Sequence, residues 1–261
     1  MQTIINRFQF SHTTINSINR IALIAVGLSL LAGCASQGDK ERNPDPFEVI
    51  NRPIFSFNNL ADKYVLRPVA VGYDFIVPKP ARKGVSNFLN NLNYPVVIIN
   101  SFLQGKFKQG ASDTGRFLVN STVGLGGIFD PATPLGMEAH KDGFGLTLGH
   151  WGLPEGPYIV VPLLGPRTVR SGVGTLANIQ VDPMIQMDNT SVRDKILIVW
   201  TVDSRANLLP VDSTIQDAYD PYLFVRDAYL QNRKFLLEND NKGSDPDSLD
   251  DGFEDDFEDD F

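Results

Sequence analysis

The sequence predicts an all-α protein built of amphipathic helices, interrupted by one Gly/Pro-rich loop or short hairpin. Three features point there. Apolar residues recur at spacings of three and four over much of the chain, the period of a helix face. Two Asp-Pro pairs, Asp45-Pro46 and Asp220-Pro221, stand where helices would begin, Asp as cap and Pro in the first turn. Glycine and proline are dense between Gly143 and Gly165, between periodic segments.

An address precedes these elements. Arg7 and Arg20 come before an apolar run, Ile21 to Leu30, which ends in Leu31-Ala32-Gly33-Cys34. A basic region, a short apolar region and small residues at a cut site make a secretory signal. Leu-Ala-Gly-Cys also resembles the bacterial lipobox, in which cleavage falls before the cysteine and the thiol is acylated. Residues 1–33 are therefore expected to be a lipoprotein signal peptide, Cys34 the lipidation site, and residues 34–46 a polar tether. Ala35 rather than Asp follows the cysteine, a pattern that resembles outer-membrane sorting in Gram-negative bacteria.

The totals narrow the class. A single cysteine excludes an internal disulfide and a Cys-rich metal site. The net charge is −8, and loss of Arg7 and Arg20 with the signal makes it −10. Asp245 to Phe261 holds ten acidic residues and no basic one, so Cys34 to Ser244 is neutral. A neutral body offers no footprint for nucleic acid. Beyond the signal no apolar run nears the roughly 18 residues that span a bilayer. Attachment would rest on acyl chains and amphipathic surface.

The first helix should open at Asp45-Pro46, with Glu48 completing a capping box. Phe47, Ile50, Ile54, Phe57 and Ala61 form its stripe, widened by Phe55 and Leu60, and Pro53 should bend it. Val77-Pro78-Lys79-Pro80 breaks the pattern, and another helix is expected near Ala81. After Pro95 the run from Val96 is apolar on most faces, hence buried in protein or lipid, with Gly105 as its stop. Phe107 to Val123 reads as a helix with Phe107, Ala111, Thr114, Phe117 and Leu118 on one side. It runs into Gly124-Leu125-Gly126-Gly127. A phosphate-cradling loop would need a preceding strand, so helix, glycines and Asp130-Pro131 favour a hinge or close-packing turn.

Gly143 to Gly165 reads as an irregular loop or short hairpin. A long helix from Ser191 to about Leu209 should bury Ile196, Val199 and Trp200. The last helix opens at Asp220-Pro221 and carries Leu223, Val225, Ala228, Tyr229 and Leu236, with Arg226, Asp227 and Arg233 on its polar face. Residues 239–261 read as an acidic disordered tail. Phe253, Phe257 and Phe261, four apart, are the one feature there that would suit docking into a groove.

The motifs of chemistry are missing. There is no Gly-x-Ser-x-Gly elbow and no His-Glu-x-x-His. His140 and His150 lie in or beside the glycine-rich region, too far apart to read as metal ligands, and read as loop histidines. No catalytic, metal or cofactor site is assigned.

Several stretches together resemble one family. They are Asp45-Pro46-Phe47-Glu48 with Asn51-Arg52 and Phe57-Asn58, Arg67-Pro68-Val69-Ala70, Asn87-Phe88 with Asn91-Leu92 and Pro95, and Asn100 with Leu103-Gln104-Gly105. Arg116-Phe117 with Asn120-Ser121, Gly124, Gly127 and Asp130 follow, then Phe144-Gly145 with Thr147-Leu148, Gly156-Pro157-Tyr158, Gly165-Pro166, and Asp220-Pro221-Tyr222 with Arg226 and Ala228-Tyr229. This resembles the MlaA (VacJ) family of outer-membrane lipoproteins. The pattern departs at Ser171, where the family often has an acidic residue after the arginine, and in the acidic tail.

The resemblance implies a single ring-like domain of helices over residues 47–238, set in the inner leaflet of the outer membrane. An amphipathic channel would pass phospholipid from the outer leaflet toward the periplasm. A trimeric porin would hold the ring, and a soluble periplasmic MlaC-like carrier would receive the lipid, preserving lipid asymmetry by retrograde transport. By the family match, Phe57 and Asn58 are candidates for setting the position or gate of the channel, and Gly124, Gly126 and Gly127 for its hinge. The other classes left open are a structural or porin-accessory lipoprotein and an envelope lipid hydrolase, the latter disfavoured by the missing nucleophile motif.

Overall fold

The computed structural model describes residues 45–242; the signal, Cys34, the rest of the tether and the acidic tail from residue 243 lie outside them. The folded body opens at Asp45, so the last two positions of the expected tether belong to it, and its final helix runs past residue 238 to Lys242.

Helix α1 (Glu48–Ala61) passes through a π-helical turn, Asp62–Leu66, into α2 (Arg67–Ile76). The expected capping box does not form. Phe47 occupies the cap position without a side-chain bond, and Glu48 pairs with Arg52 one turn on (2.7 Å). Asp45 turns inward instead: it is 1% exposed and accepts from Asn51 Nδ2 (2.7 Å) and the Tyr222 hydroxyl. Donors gathered around a buried carboxylate outweigh a helix cap, since an unsatisfied buried charge is the larger cost. Pro53 lies inside α1 without ending it; the departure from α geometry comes later, at the π turn.

Helix α3 (Lys79–Leu103) opens two residues before the expected start and continues through Pro95, which removes one donor but does not end it. Gly105, at φ +78°, stops it as expected. Helix α4 (Phe107–Thr122) packs beside it. Here the period is right and the sign is inverted. The buried face of α4 is Gly110, Asp113, Arg116 and Asn120, whereas Phe107, Ala111 and Leu118 of the expected stripe are exposed.

The region expected to be irregular contains helix α5 (Phe144–His150) and a hairpin, β1 (Tyr158–Val161) antiparallel to β2 (Gly165–Thr168), with Tyr158 opposite Thr168. Helix α6 (Val169–Asn178) follows directly, its start fixed by a capping box between Thr168 and Ser171. Helix α7 (Thr190–Leu208) is capped by Asn189 and lies against α2 and α3. It buries Asp203 and Ala206, not Val199 and Trp200, which are exposed. After α8 (Asp212–Gln216), α9 (Pro221–Lys242) begins as expected: Asp220 Oδ1 accepts from the amides of Tyr222 (3.0 Å) and Leu223 (3.2 Å). Arg226 and Arg233, expected on a solvated face, point into the body and meet Asp45 and Glu155.

The dry core among the described residues is a cluster of Tyr158, Val160 and Tyr222, flanked by Ile54, Phe55, Leu223, Tyr229 and Leu230. It joins α1, β1 and α9. Tyr222 sits edge-on to Phe55 (5.4 Å) and Tyr158 (6.3 Å), a favoured aromatic geometry.

The glycine turn after α4 is wound tight. Gly127 N donates to Asn120 O (2.8 Å) and Gly126 N to Ser121 O (2.9 Å). Gly127 has φ +93°, and a Cβ there would stand 2.4 Å from Asn91 Cβ; Gly126 has φ +73° but open space around it. Gly127→Ala is therefore expected to cost about 2–4 kcal/mol, backbone strain plus overpacking, against about 1 kcal/mol for Gly126→Ala. Thermal unfolding in detergent checks the order of the two.

Candidate functional site

The site is read from which side chains face out. Along α1, the π turn and α2, the residues Val49, Ile50, Phe57, Leu60, Tyr64, Val65, Phe75 and Ile76 are all exposed, Phe75 at 90%. Leu118, Val123, Leu125 and Phe129 continue the apolar exterior around the glycine turn, and Ile198, Val199 and Trp200 carry it onto α7. Exposed apolar surface on this scale marks an interaction with membrane or partners rather than water. No helix among the described residues is long and apolar enough to cross a membrane.

The interior buries polar side chains beside its apolar ones. Between α3 and α4, Asp113 is fully buried and accepts from Ser101 Oγ (3.1 Å), with His140 Nδ1 at 2.8 Å. Arg116 and Asn120 both hold Asp130, at 2.7 and 3.1 Å, and Asn120 Oδ1 accepts from Ala132 N (3.1 Å). Gln104 Nε2 donates to Asp142 (2.8 Å) and lies 2.9 Å from Thr147 Oγ1, which donates to Asn100 Oδ1 (2.8 Å). These side chains pin the strap from residue 130 to residue 143 onto the two helices.

Phe57 and Asn58 are brought to one place with different tasks. Phe57 faces outward. Asn58 turns to the hairpin, donating to Val161 O (3.0 Å) and accepting from Leu163 N (2.7 Å). Two turns earlier Asn51 does the same one step along β1, donating to Tyr158 O (3.1 Å) and accepting from Val160 N (2.9 Å). The two amides stand in for a neighbouring strand along the free edge of β1. Leu163, at the hairpin turn, has φ +62° and is exposed beside Leu164.

Gly124, Gly126 and Gly127 lie apart from this, at the end of α4, against α3. Asn91 Nδ2 donates to Ser121 Oγ (2.9 Å), Asn87 Nδ2 to Ile128 O (3.2 Å), and a Cβ on Gly124 would press on the carbonyl oxygens of Asn120 (2.4 Å) and Phe129 (2.5 Å). The residues missed from sequence are polar ones turned inward: the buried Asp45, Asn51, Asn91 and Asp113, and the half-buried Glu155. Their signal was there in part, since Asn51 and Asn58 are seven apart, the same face of an otherwise apolar helix.

Arg170 is not left without a counter-charge by Ser171. Glu155, fifteen residues upstream, supplies it. Ser171 is used otherwise, in the capping box and beside the Tyr229 hydroxyl (2.8 Å). Among the described residues no group of His, Cys, Asp and Glu is arranged to hold a metal ion.

A mostly helical body with exposed apolar faces, buried polar side chains and one laced hairpin is the frame of a protein suited to apolar surroundings. The model of the MlaA lipoprotein family matches residues 43–236, and the chain belongs to that family. It is 38% identical over 248 residues to the intermembrane phospholipid transport system lipoprotein MlaA of Escherichia coli (strain K12), covering 89% of this chain and 97% of that protein. The lipoprotein of the same description from Haemophilus influenzae is 36% identical over 230 residues, 85% of this chain and 91% of its own length. A solved structure described as the structural basis for maintenance of bacterial outer membrane lipid asymmetry superposes with TM-score 0.67 at 36% identity, over 74% of this chain and 98% of that one.

Two outcomes follow from the geometry. Replacing Asn58 by Ala removes both bonds to the hairpin turn, so amide exchange at Leu163 should speed up by at least about fivefold, the loss of roughly 1 kcal/mol; NMR exchange in detergent measures it. His140 is held above the ordinary histidine range, first by its hydrogen bond to Asp113, with burial opposing. Its stabilisation is then complete below about pH 6.5 and fades as pH rises through the raised value. The gap in melting temperature between wild type and His140→Gln should narrow over that window.

Proposed function

We propose that this chain removes phospholipid from the outer leaflet of the outer membrane and passes it to a periplasmic carrier for retrograde transport. The observation that carries the reading is the extent of exposed apolar surface along α1 and α2 and around the glycine turn, in a body that also buries charged and amide side chains. A lipid crossing a protein needs a polar path for its head group and an apolar boundary for its chains, without a covalent step. The family membership and the likeness to the intermembrane phospholipid transport lipoprotein of Escherichia coli support the same reading.

In this reading Cys34 carries the acyl anchor, the domain is ring-like and sits in the inner leaflet on the periplasmic side, and a channel runs through its polar interior. A trimeric porin holds it, and an MlaC-like protein receives the lipid. Phe57 and Asn58 act as a pair at the gate: Phe57 sets depth in the lipid while Asn58 holds the hairpin turn. Gly124, Gly126 and Gly127, after α4, form the hinge of that gate, and of the three Gly126 alone has open space around it.

The test is outer-leaflet phospholipid in a strain lacking the protein, with other envelope lipid pathways accounted for. Phospholipid should accumulate there, wild type should clear it, and the Cys34→Ala chain should not. Unchanged outer-leaflet lipid in the deletion strain would make the protein a porin accessory that moves none.

A further inference from the structure

One polar cluster holds charge and donors in excess of its needs. Arg170 on α6 and Arg233 on α9 converge on Glu155, in the loop before β1. Glu155 Oε1 accepts from Arg233 Nε (3.0 Å) and Thr168 Oγ1 (2.8 Å), and Oε2 accepts from Arg170 Nη2. Arg170 Nη1 donates to the Leu153 carbonyl (2.6 Å). Arg170 Nε and Arg233 Nη2 are buried and have no hydrogen-bond partner among the described residues. Two guanidinium groups thus share one carboxylate, and one positive charge is uncompensated.

That charge sits in a poor place for it. Arg170 is 6% exposed. Burial lowers its basicity, Glu155 opposes that, and Arg233 adds to it. Glycines on α5 let both guanidiniums approach: a Cβ on Gly149 would lie 2.8 Å from Arg170 Cζ, and one on Gly145 3.4 Å from Arg233 Nη2. The cluster is not sealed, since the Glu155 and Arg233 side chains keep 27% and 13% of their surface open.

We propose that Arg170 and Arg233 bind a phosphate group, and that its source is the phosphodiester of a phospholipid head group. Guanidinium donors match phosphate oxygens in geometry and charge. The spare donors belong to two different guanidiniums that both meet Glu155, and an anion with several acceptor oxygens is the class of ligand that suits them. The added negative charge neutralises the cluster. The assignment of the phosphate to lipid rests on the transport reading above; the anion site does not.

The test uses the purified full chain in a phosphate-free maltoside detergent. Dihexanoyl phosphatidylglycerol and inorganic phosphate are titrated separately, with binding read from phosphorus NMR linewidths. Arg233→Gln should weaken binding about tenfold, the loss of one charge-assisted hydrogen bond. Glu155→Gln removes the competing carboxylate and should tighten binding. A cluster that only braced the fold would not move the two variants in opposite directions, and loss in both, or change in neither, overturns the site. Opposite shifts with the lipid support the head-group assignment. Opposite shifts with inorganic phosphate alone keep the anion site and overturn that assignment. If the site fails while deletion of the protein still leaves phospholipid in the outer leaflet, the transport reading stands without it.

Discussion

Asp113, fully buried between α3 and α4 and held by Ser101 and His140, represents the constraint on which this fold depends. Wherever apolar faces stay exposed, as along α1 and α2, that surface adds nothing to the hydrophobic effect that presses helices together. Polar bonds across the helix contacts must supply part of what a soluble core would. Each contributes little, well under about 2 kcal/mol in lipid, so several are needed. Leaving one partner unsatisfied costs more than the bond itself gains. Arg116, Asn120 and Asp130 form one such set in the interior, and Asn100, Thr147 and Gln104 another.

The same constraint governs the hairpin. A two-stranded sheet is marginal alone and leaves one edge of backbone groups open. Water could satisfy that edge on a soluble protein. Here α1 lies along it, and Asn51 and Asn58 bond to its free carbonyls and amides. Helix α1 can therefore present Phe57 and Leu60 outward while its polar stripe acts as a strand. Phe57 and Asn58, adjacent in sequence, serve opposite faces of one wall.

This explains what was legible in the sequence and what was not. The helices were, because period survives whichever face is buried; the stop at Gly105 and the start at Asp220-Pro221 depend on local backbone chemistry alone. The direction of each face was not. Phe107, Leu118, Val199 and Trp200 have the spacing of a core stripe, and a moment gives its axis without saying whether water or lipid lies beyond it. Asp45 has a good cap residue's chemistry, but a tyrosine 177 positions away claims it. Helix α5 was hidden for another reason. Its glycines, poor helix formers, are required by contact with α6: a Cβ on Gly149 would fall 2.8 Å from Arg170 Cζ, and one on Gly145 3.1 Å from Ser171 Cα.

Ser171 shows how far such a frame can be rewired. With no acid beside Arg170, the counter-charge comes from Glu155 in the loop before β1, and Glu155 also takes Arg233 from α9. A local pair becomes a long-range tie. The base of the hairpin is then bound twice, through Glu155 to α9 and through Thr168 and Ser171 to α6, whose Ser171 hydroxyl also meets Tyr229. Tyr158, at the start of β1, is fully buried against Tyr222 and Tyr229. The tip has only Asn58 on Leu163 and Val161, with Leu163 and Leu164 exposed. The base of the hairpin is thereby held by more side-chain bonds than its tip.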